Sequence, residues 1–266
     1  MNWAIFPQIT KQFHKGERIE HHPENSLSVI LPAFNEAENV RYMVNSASEV
    51  LDCITEQWEV IVVDDGSTDE TASETLKIAQ FDERVRLVSH PENIGIGRAV
   101  WTGIRNSRMK WIFYTDCDGQ FDLKELELLW RERHLSDVLS GYRRNRQDPL
   151  MRLMYSFAYN TLTYLIFWKG FKDVDSSFKL FRRKIFSDFE IRSTSSVADL
   201  ELLLLPRLLG YRVKQMPVSH YPRRAGTVSC ESYRRGIFAW VRLGPIFEMF
   251  VQLLDLRLRI WRGDAR

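Results

Sequence analysis

Two carboxylates stand two positions apart in the segment Asp116-Cys117-Asp118-Gly119-Gln120, directly after an apolar run. Beyond the end of a strand, carboxylates at this spacing converge on one hard cation such as Mg²⁺ or Mn²⁺, which prefers oxygen ligands and keeps coordination positions open for phosphates. By itself the pattern is weak evidence, because it also occurs in ordinary turns. Its position after a predicted buried strand favours a metal site that meets a substrate phosphate.

Two further polar clusters follow apolar runs: Asn35-Glu36 and Asp64-Asp65. The second cluster has two interpretations, and both can be true at the same time. Asp64 and Ser67 suit the cap of the next helix, with Asp69 in its first turn, and a carboxylate here also suits a base or ribose.

A glycine loop at 93–97 opens a helix and indicates close backbone approach to a ligand. Because Val100 occupies the third glycine position and the loop follows the third strand, it is not a dinucleotide fingerprint.

Strands and helices must alternate to position these clusters. Apolar runs predict strands over 27–34, 58–63, 85–89 and 111–115, and helical spacing predicts helices over 35–51, 68–80 and 96–107. This alternation predicts a parallel sheet covered on both faces. Ligands bind at the carboxyl ends of such strands, so the three acidic or polar clusters are expected to converge at one edge.

After Gly141 the order of elements changes. The sequence predicts helices over 150–167 and 197–209, the second stopped by Gly210, and strands over 177–181 and 211–218. The stretch 233–262 alternates apolar clusters with arginines. It is typical either of a helix in a lipid interface or of a helix packed on the domain or on a second copy of the chain, and both alternatives stay open. The aromatic-rich part of the first of these helices, from Leu153 to Trp168, is also a candidate for the lipid surface.

Composition excludes several classes of protein. The net charge of +2 provides no global basic field, so we expect no nucleic-acid partner. The three cysteines fit neither a zinc pattern nor a disulfide framework. The N-terminus lacks the pattern of a secretory signal, and no run reaches the ~20 apolar residues of a spanning helix. We therefore expect a cytoplasmic protein that contacts a membrane peripherally.

Four linked motifs resemble those of family 2 glycosyltransferases, which have the GT-A fold. They are Pro32-Ala33-Phe34-Asn35-Glu36, the segment 63–69, the loop 93–97 and the segment 116–120. Their order and spacing match over residues 26–125, and four such motifs in order are far more specific than any one alone. The segments 141–144, 175–182 and 221–226, together with Arg152 and Ser156, resemble the polyprenyl-phosphate sugar transferase branch, which includes the dolichol-phosphate mannose synthases.

This resemblance implies an α/β, GT-A (Rossmann-like) domain at 26–229, with an N-terminal arm at 1–25 and an amphipathic, basic helical segment at 230–266. It implies inverting transfer of a hexose from a GDP- or UDP-sugar to a polyprenyl phosphate, with Mg²⁺ or Mn²⁺ as cofactor and a membrane surface as partner.

The resemblance also implies the roles of particular residues, by position. The metal-site residues are Asp116, Asp118 and Gln120. Residues on the nucleotide-sugar side are Pro32, Ala33, Phe34, Asn35, Glu36, Asp64, Asp65, Gly97 and Asp116. The acceptor-phosphate residues are Arg143, Arg152 and Ser156. The catalytic residues are Asp118, Arg223 and Asp175. Arg223 stands in an Arg-x-x-Gly motif, and its planar fork suits phosphate oxygens.

Two departures bear on the acceptor side. Ser176-Ser177-Phe178-Lys179 stands where the branch often has Ser-Gly-Phe-Arg, and the segment after Gly226 is one residue longer than usual. A hydroxyl acceptor therefore remains the alternative, and it requires a carboxylate base from Asp175, Asp199 or Glu201. Asp199 and Glu201 lie two apart on one helix, so at most one is expected to face the site.

Two other functions have less support in the sequence. A nucleotidyltransferase normally has a glycine- and lysine-rich loop early in the first βα turn, and 32–36 is not one. A non-catalytic binding module is disfavoured by the intact Asp116, Asp118 and Gln120.

Overall fold

The structure, a computed structural model, describes residues 23–144, 150–226 and 243–264. Within these ranges one seven-stranded sheet is covered by helices on both faces. The strands are β1 (Ser26–Ala33), β2 (Gln57–Asp64), β3 (Val85–Ser89), β4 (Trp111–Tyr114), β5 (Val138–Arg144), β6 (Lys179–Arg182) and β7 (Val213–Ser219). The helices are α1 (Ala37–Ile54), α2 (Thr71–Ala79), α3 (Ile96–Asn106), α4 (Leu126–Glu132), α5 (Leu150–Phe167), α6 (Val197–Leu208) and α7 (Leu243–Arg262).

The strand order β3-β2-β1-β4-β6-β5-β7 places all strands except β6 in the same direction. β1 pairs in parallel with β2 and β4, and β2 pairs in parallel with β3. β6 runs antiparallel to both β4 and β5, whereas β7 is parallel to β5. The mostly parallel sheet of the α/β prediction is confirmed. The carboxyl ends of six strands and the amino end of β6 therefore lie along one edge.

The core lies in two layers, one on each face of the sheet. α1 and α4 pack on the face that contains Leu27, Val29 and Phe113, and Ile78 of α2 lies against the same cluster. α3, α5, α6 and α7 cover the other face, where Ile30 and Ile112 are buried. Since both faces are covered, the central parallel strands β1, β2 and β4 contain continuous apolar runs.

The first two helices begin later than predicted. Asn35 has a φ of 57°, a left-handed conformation that no helix continues from, so α1 starts at Ala37 instead of Asn35. α2 starts at Thr71 instead of Thr68. The predicted capping by Asp64 and Ser67 is wrong. Asp69 performs this role, because its carboxylate accepts the backbone N–H of Thr71 (3.0 Å) and also that of Ala37 (3.1 Å).

Two elements of the second half were not predicted: α4 and β5. β5 contains a glycine and ends in two arginines, so it lacks the continuous apolar run of a central strand. β6 begins at Lys179 instead of Ser177. α6 ends at Leu208, and Gly210 adopts a φ of 85° directly beyond it, as its stop signal predicts.

α7 packs against α6 and α5 with one face, which buries Leu253, Leu256 and Ile260. Its opposite face is apolar and exposed. Among the described residues, no helix combines the length and apolar character needed to cross a bilayer. Most of the predicted arm at 1–25 and residues 227–242 of the C-terminal stretch lie outside the described ranges, and the predicted domain boundaries stay predictions.

Candidate active site

Every polar cluster picked out in the sequence lies at one edge of the sheet, where the chain leaves β1, β2, β4, β5 and β7 and enters β6. The reversal of β6 has a specific consequence. It brings the turn 173–178, which precedes β6, to the same edge as the Asp-x-Asp segment after β4. The segment 220–226 after β7 arrives there as well. The fold therefore collects both halves of the sequence around one site.

The loops after β1 and β2 are tied to each other by side chains. Asn35 Oδ1 accepts the backbone N–H of Thr68 (2.9 Å), and Ser67 Oγ accepts the N–H of Asn35 (2.9 Å). Thr71 Oγ1 accepts the N–H of Glu36 (2.8 Å). These bonds explain the left-handed Asn35, because an Asx side chain tolerates that conformation when it bonds locally. The two loops form one rigid wall of the site.

Asp65 organises the glycine loop. Its carboxylate accepts the backbone N–H groups of Ile94 (3.1 Å) and Gly95 (2.9 Å) and lies 2.7 Å from His90 Nδ1. Asp64 is bound nearby, because its Oδ1 accepts the N–H of Ser67 (3.0 Å). Both acidic side chains are buried and already have partners in the structure. Their contact with a nucleotide stays a prediction.

Gly97 serves close packing in the structure. A Cβ at this position would lie 2.1 Å from the carbonyl oxygen of Ser193 and 2.8 Å from Ala198 Cβ. Its N–H donates to the carbonyl of Thr194 (3.0 Å). The absence of a side chain is thus required by the approach of the 193–198 segment to α3. A ligand contact at Gly97 stays a prediction.

Pro32 and Ala33 are buried within β1, whereas the side chain of Phe34 is partly exposed at the end of the strand. Of these three predicted nucleotide-side residues, Phe34 alone offers side-chain surface to a ligand.

Asp116 and Asp118 follow β4, and their carboxylates interact. Burial and the neighbouring charge of Asp118 raise the pKa of Asp116 to about 7, and the hydrogen bond from Ser177 opposes that rise. Ser177 Oγ donates to Asp116 Oδ2 at 2.5 Å, and Tyr114 Oη donates to Oδ1 at 3.4 Å. Asp118 Oδ1 accepts the N–H of Gln120 at 3.0 Å. Negative charge is therefore concentrated where the sequence predicts a cation.

The segment after β7 is fastened onto this acidic loop. Gln120 exchanges two bonds with Tyr221: its carbonyl accepts the Tyr221 N–H (2.8 Å), and its Nε2 donates to the Tyr221 carbonyl (3.0 Å). The N–H of Arg224 donates to the carbonyl of Asp118 (3.2 Å). These bonds place Arg223, the residue before Arg224, beside the carboxylates of this acidic loop.

Arg223 bridges two of the predicted site residues. Its Nη2 lies 2.5 Å from Glu36 Oε1, and its Nη1 lies 3.6 Å from Asp118 Oδ2. Its Nε donates to the carbonyl of Ala225 (2.7 Å), which fixes the guanidinium plane. Glu36 also accepts a bond from Asn39 Nδ2 (2.8 Å). A fixed guanidinium next to the metal candidates suits a diphosphate.

On the predicted acceptor side, Arg143 is held by acidic residues of the turn before β6. It binds Asp173 through two side-chain bonds of 2.7 and 2.9 Å, and its Nη2 lies 3.5 Å from Asp175 Oδ2. Asp173 is buried, whereas the Asp175 side chain is 36% exposed. Ser156 lies on α5 and is partly exposed. The backbone of Arg152 belongs to α5, and its side chain lies outside the described part of the chain.

The two carboxylates of α6 have separate environments, as predicted. Asp199 is buried beside Lys179, and burial raises its pKa to about 6 against the opposing charge of that lysine. Glu201 points away from this cluster: it binds Arg259 of α7 and accepts the N–H of Arg192 (2.8 Å). Glu201 is therefore an anchor for α7.

The residues present fit a divalent cation. Asp116 and Asp118 are hard oxygen donors, and a bound cation would offset both the burial and the mutual repulsion that raise the pKa of Asp116. Within the described ranges, no group of three His, Cys, Asp or Glu side chains is arranged for one ion. Mg²⁺ and related ions are commonly held by one or two carboxylates with substrate phosphates completing the shell. Gln120 as a third ligand stays a prediction.

The structure also shows contacts around the candidate site that the sequence did not predict, made by Asn39, His90, Asp173, Ser177 and Lys179. Ser177 and Lys179 lie inside a quoted motif, so their position was visible but their partners were not. Asp173 has no sequence signal besides its acidic character, because its partner Arg143 is 30 positions earlier.

Comparison with known proteins places these features in context. The model of the family described as "Glycosyl transferase family 2" matches residues 28–189. The chain is 30% identical to a mouse (Mus musculus) dolichyl-phosphate beta-glucosyltransferase over 271 residues, covering 92% of this chain and 78% of the relative. It is 30% identical to a dodecaprenyl-phosphate galacturonate synthase of Rhizobium johnstonii, covering 75% of this chain and 60% of that one.

Among solved structures, the fold is similar to that of glucosyl-3-phosphoglycerate synthase from Mycobacterium tuberculosis in complex with Mn²⁺, uridine-diphosphate-glucose and phosphoglyceric acid. The TM-score is 0.64 at 18% identity, with 90% of this chain and 80% of that chain covered. At this identity the likeness establishes the fold alone.

Proposed function

This chain belongs to glycosyl transferase family 2, and we propose that it transfers a hexose from a nucleotide diphosphate sugar to a polyprenyl phosphate, with inversion at the anomeric carbon. The observation that carries the proposal is the meeting of the Asp116–Asp118 pair, Arg223 and Arg143 at one sheet edge. Two relatives named for transfer to dolichyl or dodecaprenyl phosphate support the acceptor class.

On the donor side, Asp116 and Asp118 would hold Mg²⁺ or Mn²⁺, with Gln120 beside them. When bound, the ion supplies Lewis-acid neutralisation of the departing diphosphate. Arg223 is already fixed 3.6 Å from Asp118 and adds positive charge at the same place. Preorganised charge of this kind is usually the largest electrostatic contribution to such a reaction. The loops 34–37, 64–71 and 93–97 form the wall that receives the nucleoside.

On the acceptor side, Arg143, Arg152 and Ser156 would hold the lipid phosphate. Arg143 meets Asp175 at 3.5 Å, so an incoming phosphate competes with that carboxylate for the guanidinium. A phosphate oxygen is already anionic and attacks without a general base. The residues of the site need then only orient the acceptor and exclude water.

A polyprenyl acceptor places the reaction at a membrane surface, and we propose that α5 and α7 dock there. α5 exposes Met154, Phe157, Tyr164 and Leu165 along one face, and Trp168 is exposed directly after the helix ends. α7 touches α5 and exposes a second apolar face, with Arg257 and Arg262 beside it. Amphipathic helices with cationic borders suit an anionic lipid interface. The free thiol of the exposed Cys53 is typical of a reducing compartment, which supports the cytoplasmic side of that membrane.

A hydroxyl acceptor is the second candidate, and one observation favours it. Asp175 is partly exposed at the site, whereas Asp199 is buried and already forms an ion pair with Lys179. Asp175 is therefore the better placed general base if the acceptor is a hydroxyl.

The test is sugar transfer from radiolabelled UDP- and GDP-hexoses, with Mn²⁺, to a polyprenyl phosphate in detergent. We expect metal-dependent product in the organic phase, lost in Asp118→Asn and retained in the control Asp82→Asn, which lies at the opposite edge of the sheet. Donor hydrolysis without lipid product would move the acceptor to a hydroxyl. Absence of turnover with every donor would overturn the proposal.

A further inference from the structure

Lys179 is the first residue of β6, and its side chain is fully buried. Its ammonium group meets three acceptors: the Asp199 carboxylate, the carbonyl of Ser176 and, at 3.4 Å, the carbonyl of Val174. An ammonium group has three N–H donors and no acceptor, so these three oxygens match its capacity. A buried charge is tolerated only when it is paired and hydrogen-bonded, and this one is.

The two carbonyls belong to the turn before β6, whose side chains point to both halves of the site. Asp173 and Asp175 hold Arg143 on the acceptor side. Ser177 donates to Asp116 on the donor side. Contacts alternate along the turn: the side chains of residues 173, 175 and 177 meet the site, and the carbonyls of 174 and 176 meet Lys179.

Asp199 fixes the other end of this arrangement. It lies in the first turn of α6, and its carboxylate is buried together with the lysine. α6 packs on α3 and on the sheet. Asp199 therefore holds the ammonium group of Lys179 in a fixed position beside the turn. A lysine suits this task since its compact charge can bond three oxygens that do not lie in one plane.

We propose that Lys179 is a positioning residue, which holds the turn 173–177 so that Ser177 reaches Asp116 while Asp173 and Asp175 reach Arg143. Through this turn it sets the distance between the donor and acceptor halves. The inference rests on the proposed function for its catalytic consequence, but the hold on the turn is a structural claim that is tested separately.

The alternative is a lysine that merely neutralises Asp199. Three variants separate the two roles. Lys179→Met leaves Asp199 buried without its cation and is expected to destabilise the protein strongly. Lys179→Met with Asp199→Leu removes both charges and is expected to restore much of the stability. Asp199→Asn keeps an acceptor for the ammonium group and leaves both carbonyl bonds intact.

The experiment measures hydrogen exchange of peptides covering 173–178, thermal unfolding, and kcat/KM for sugar transfer. For the double variant we expect recovered unfolding temperature, faster exchange in this turn and kcat/KM still reduced roughly 10²-fold, because a displacement of about 1 Å can have this effect. For Asp199→Asn we expect a smaller loss. The control is Lys214→Met on β7, which breaks a partly exposed ion pair with Glu132 of α4. This variant should leave the turn unchanged.

A double variant with wild-type exchange and wild-type kcat/KM would overturn the proposal and leave Lys179 as a neutralising charge. The exchange measurement needs no substrate, so it decides the hold on the turn even if the chain transfers no sugar to a lipid. Faster exchange in the turn together with an inactive wild-type protein would therefore contradict the proposed function and not the hold.

Discussion

If the Asp116–Asp118 pair binds a metal ion as proposed, the ionisation of Asp116 decides how metal binding responds to pH. Its pKa is raised from 3.8 to about 7 by burial and by the charge of Asp118. A carboxylate must lose its proton to bind a metal, so protons compete with the cation below that value. Above that pH the carboxyl group of Asp116 is ionised, and protons no longer compete with the cation.

We therefore expect the affinity for Mn²⁺, measured by calorimetry with nucleoside diphosphate present, to fall by up to about tenfold per pH unit below neutrality and to level off above it. Asp118→Asn removes the charge that raises the pKa of Asp116, so the pH at which affinity starts to fall should move downwards, although the affinity itself is weaker. Asp82→Asn should leave both unchanged. A pH-independent affinity between about pH 5 and about pH 8 would contradict this account.

At the residue scale, the sequence identified the acidic pair and Arg223 because each stands in a short linear motif. It did not reveal that Gly97 is required for packing against Ser193, which is 96 positions away and whose carbonyl oxygen would lie 2.1 Å from a Cβ at position 97. It also assigned the cap of α2 to Asp64 and Ser67, whereas Asp69 caps both α1 and α2. Local patterns predict residue chemistry, but partners distant in sequence decide which role a side chain performs.

At the element scale, α7 is joined to the glycine loop through one intervening segment. Arg259 of α7 binds the fully buried Glu201, which also accepts bonds from the backbone and hydroxyl of Ser193. Gln252 of α7 binds Ser195 Oγ (2.8 Å). The neighbouring Thr194 carbonyl accepts the N–H of Gly97. Through this segment, α7 supports the glycine loop at 93–97.

Arg259→Met is expected to lower the free energy of unfolding by about 3–5 kcal/mol, because it leaves the Glu201 carboxylate buried without its cation. The measurement is denaturant unfolding. The control is Asp255→Asn, which removes the other partner of Arg259; that carboxylate is 62% exposed, so a loss below about 1 kcal/mol is expected. Equal losses in the two variants would show that the buried pair does not anchor α7.

The alternation of strands and helices up to β4 followed from the sequence because β1, β2 and β4 each contain a continuous apolar run. The reversal of β6 did not, since four residues with a buried lysine at the start give no signal of direction. β5 was missed because its last residues are a glycine, a tyrosine and two arginines. β5 and β6 carry polar residues that belong to the site, and these residues interrupt the apolar pattern on which the prediction depends.

At the scale of the whole molecule, the apolar faces of α5 and α7 lie on adjacent helices and on the side of the sheet opposite to α1 and α4. Phe157, Trp168, Phe247 and Trp261 are each more than 60% exposed. Contiguous exposed apolar surface of this kind marks an interaction site in soluble proteins. The strand β5, which carries Arg143, leads along the chain into α5, so a membrane on this side would present a lipid phosphate near the acceptor half.

Phe157→Glu and Trp168→Glu are expected to weaken binding to phosphatidylcholine vesicles containing phosphatidylglycerol by at least ~10-fold each, because each replaces a large apolar side chain in the interface by a charge. Co-sedimentation measures the binding. Phe81→Glu is the matched control, since Phe81 is 92% exposed in the turn between α2 and β3, at the amino ends of the strands. Transfer to a short, water-soluble prenyl phosphate should survive in all three variants, because each of these side chains is more than 60% exposed. Loss of that activity together with vesicle binding would mean that the helices shape the site itself, and unchanged vesicle binding would remove α5 from the docking surface.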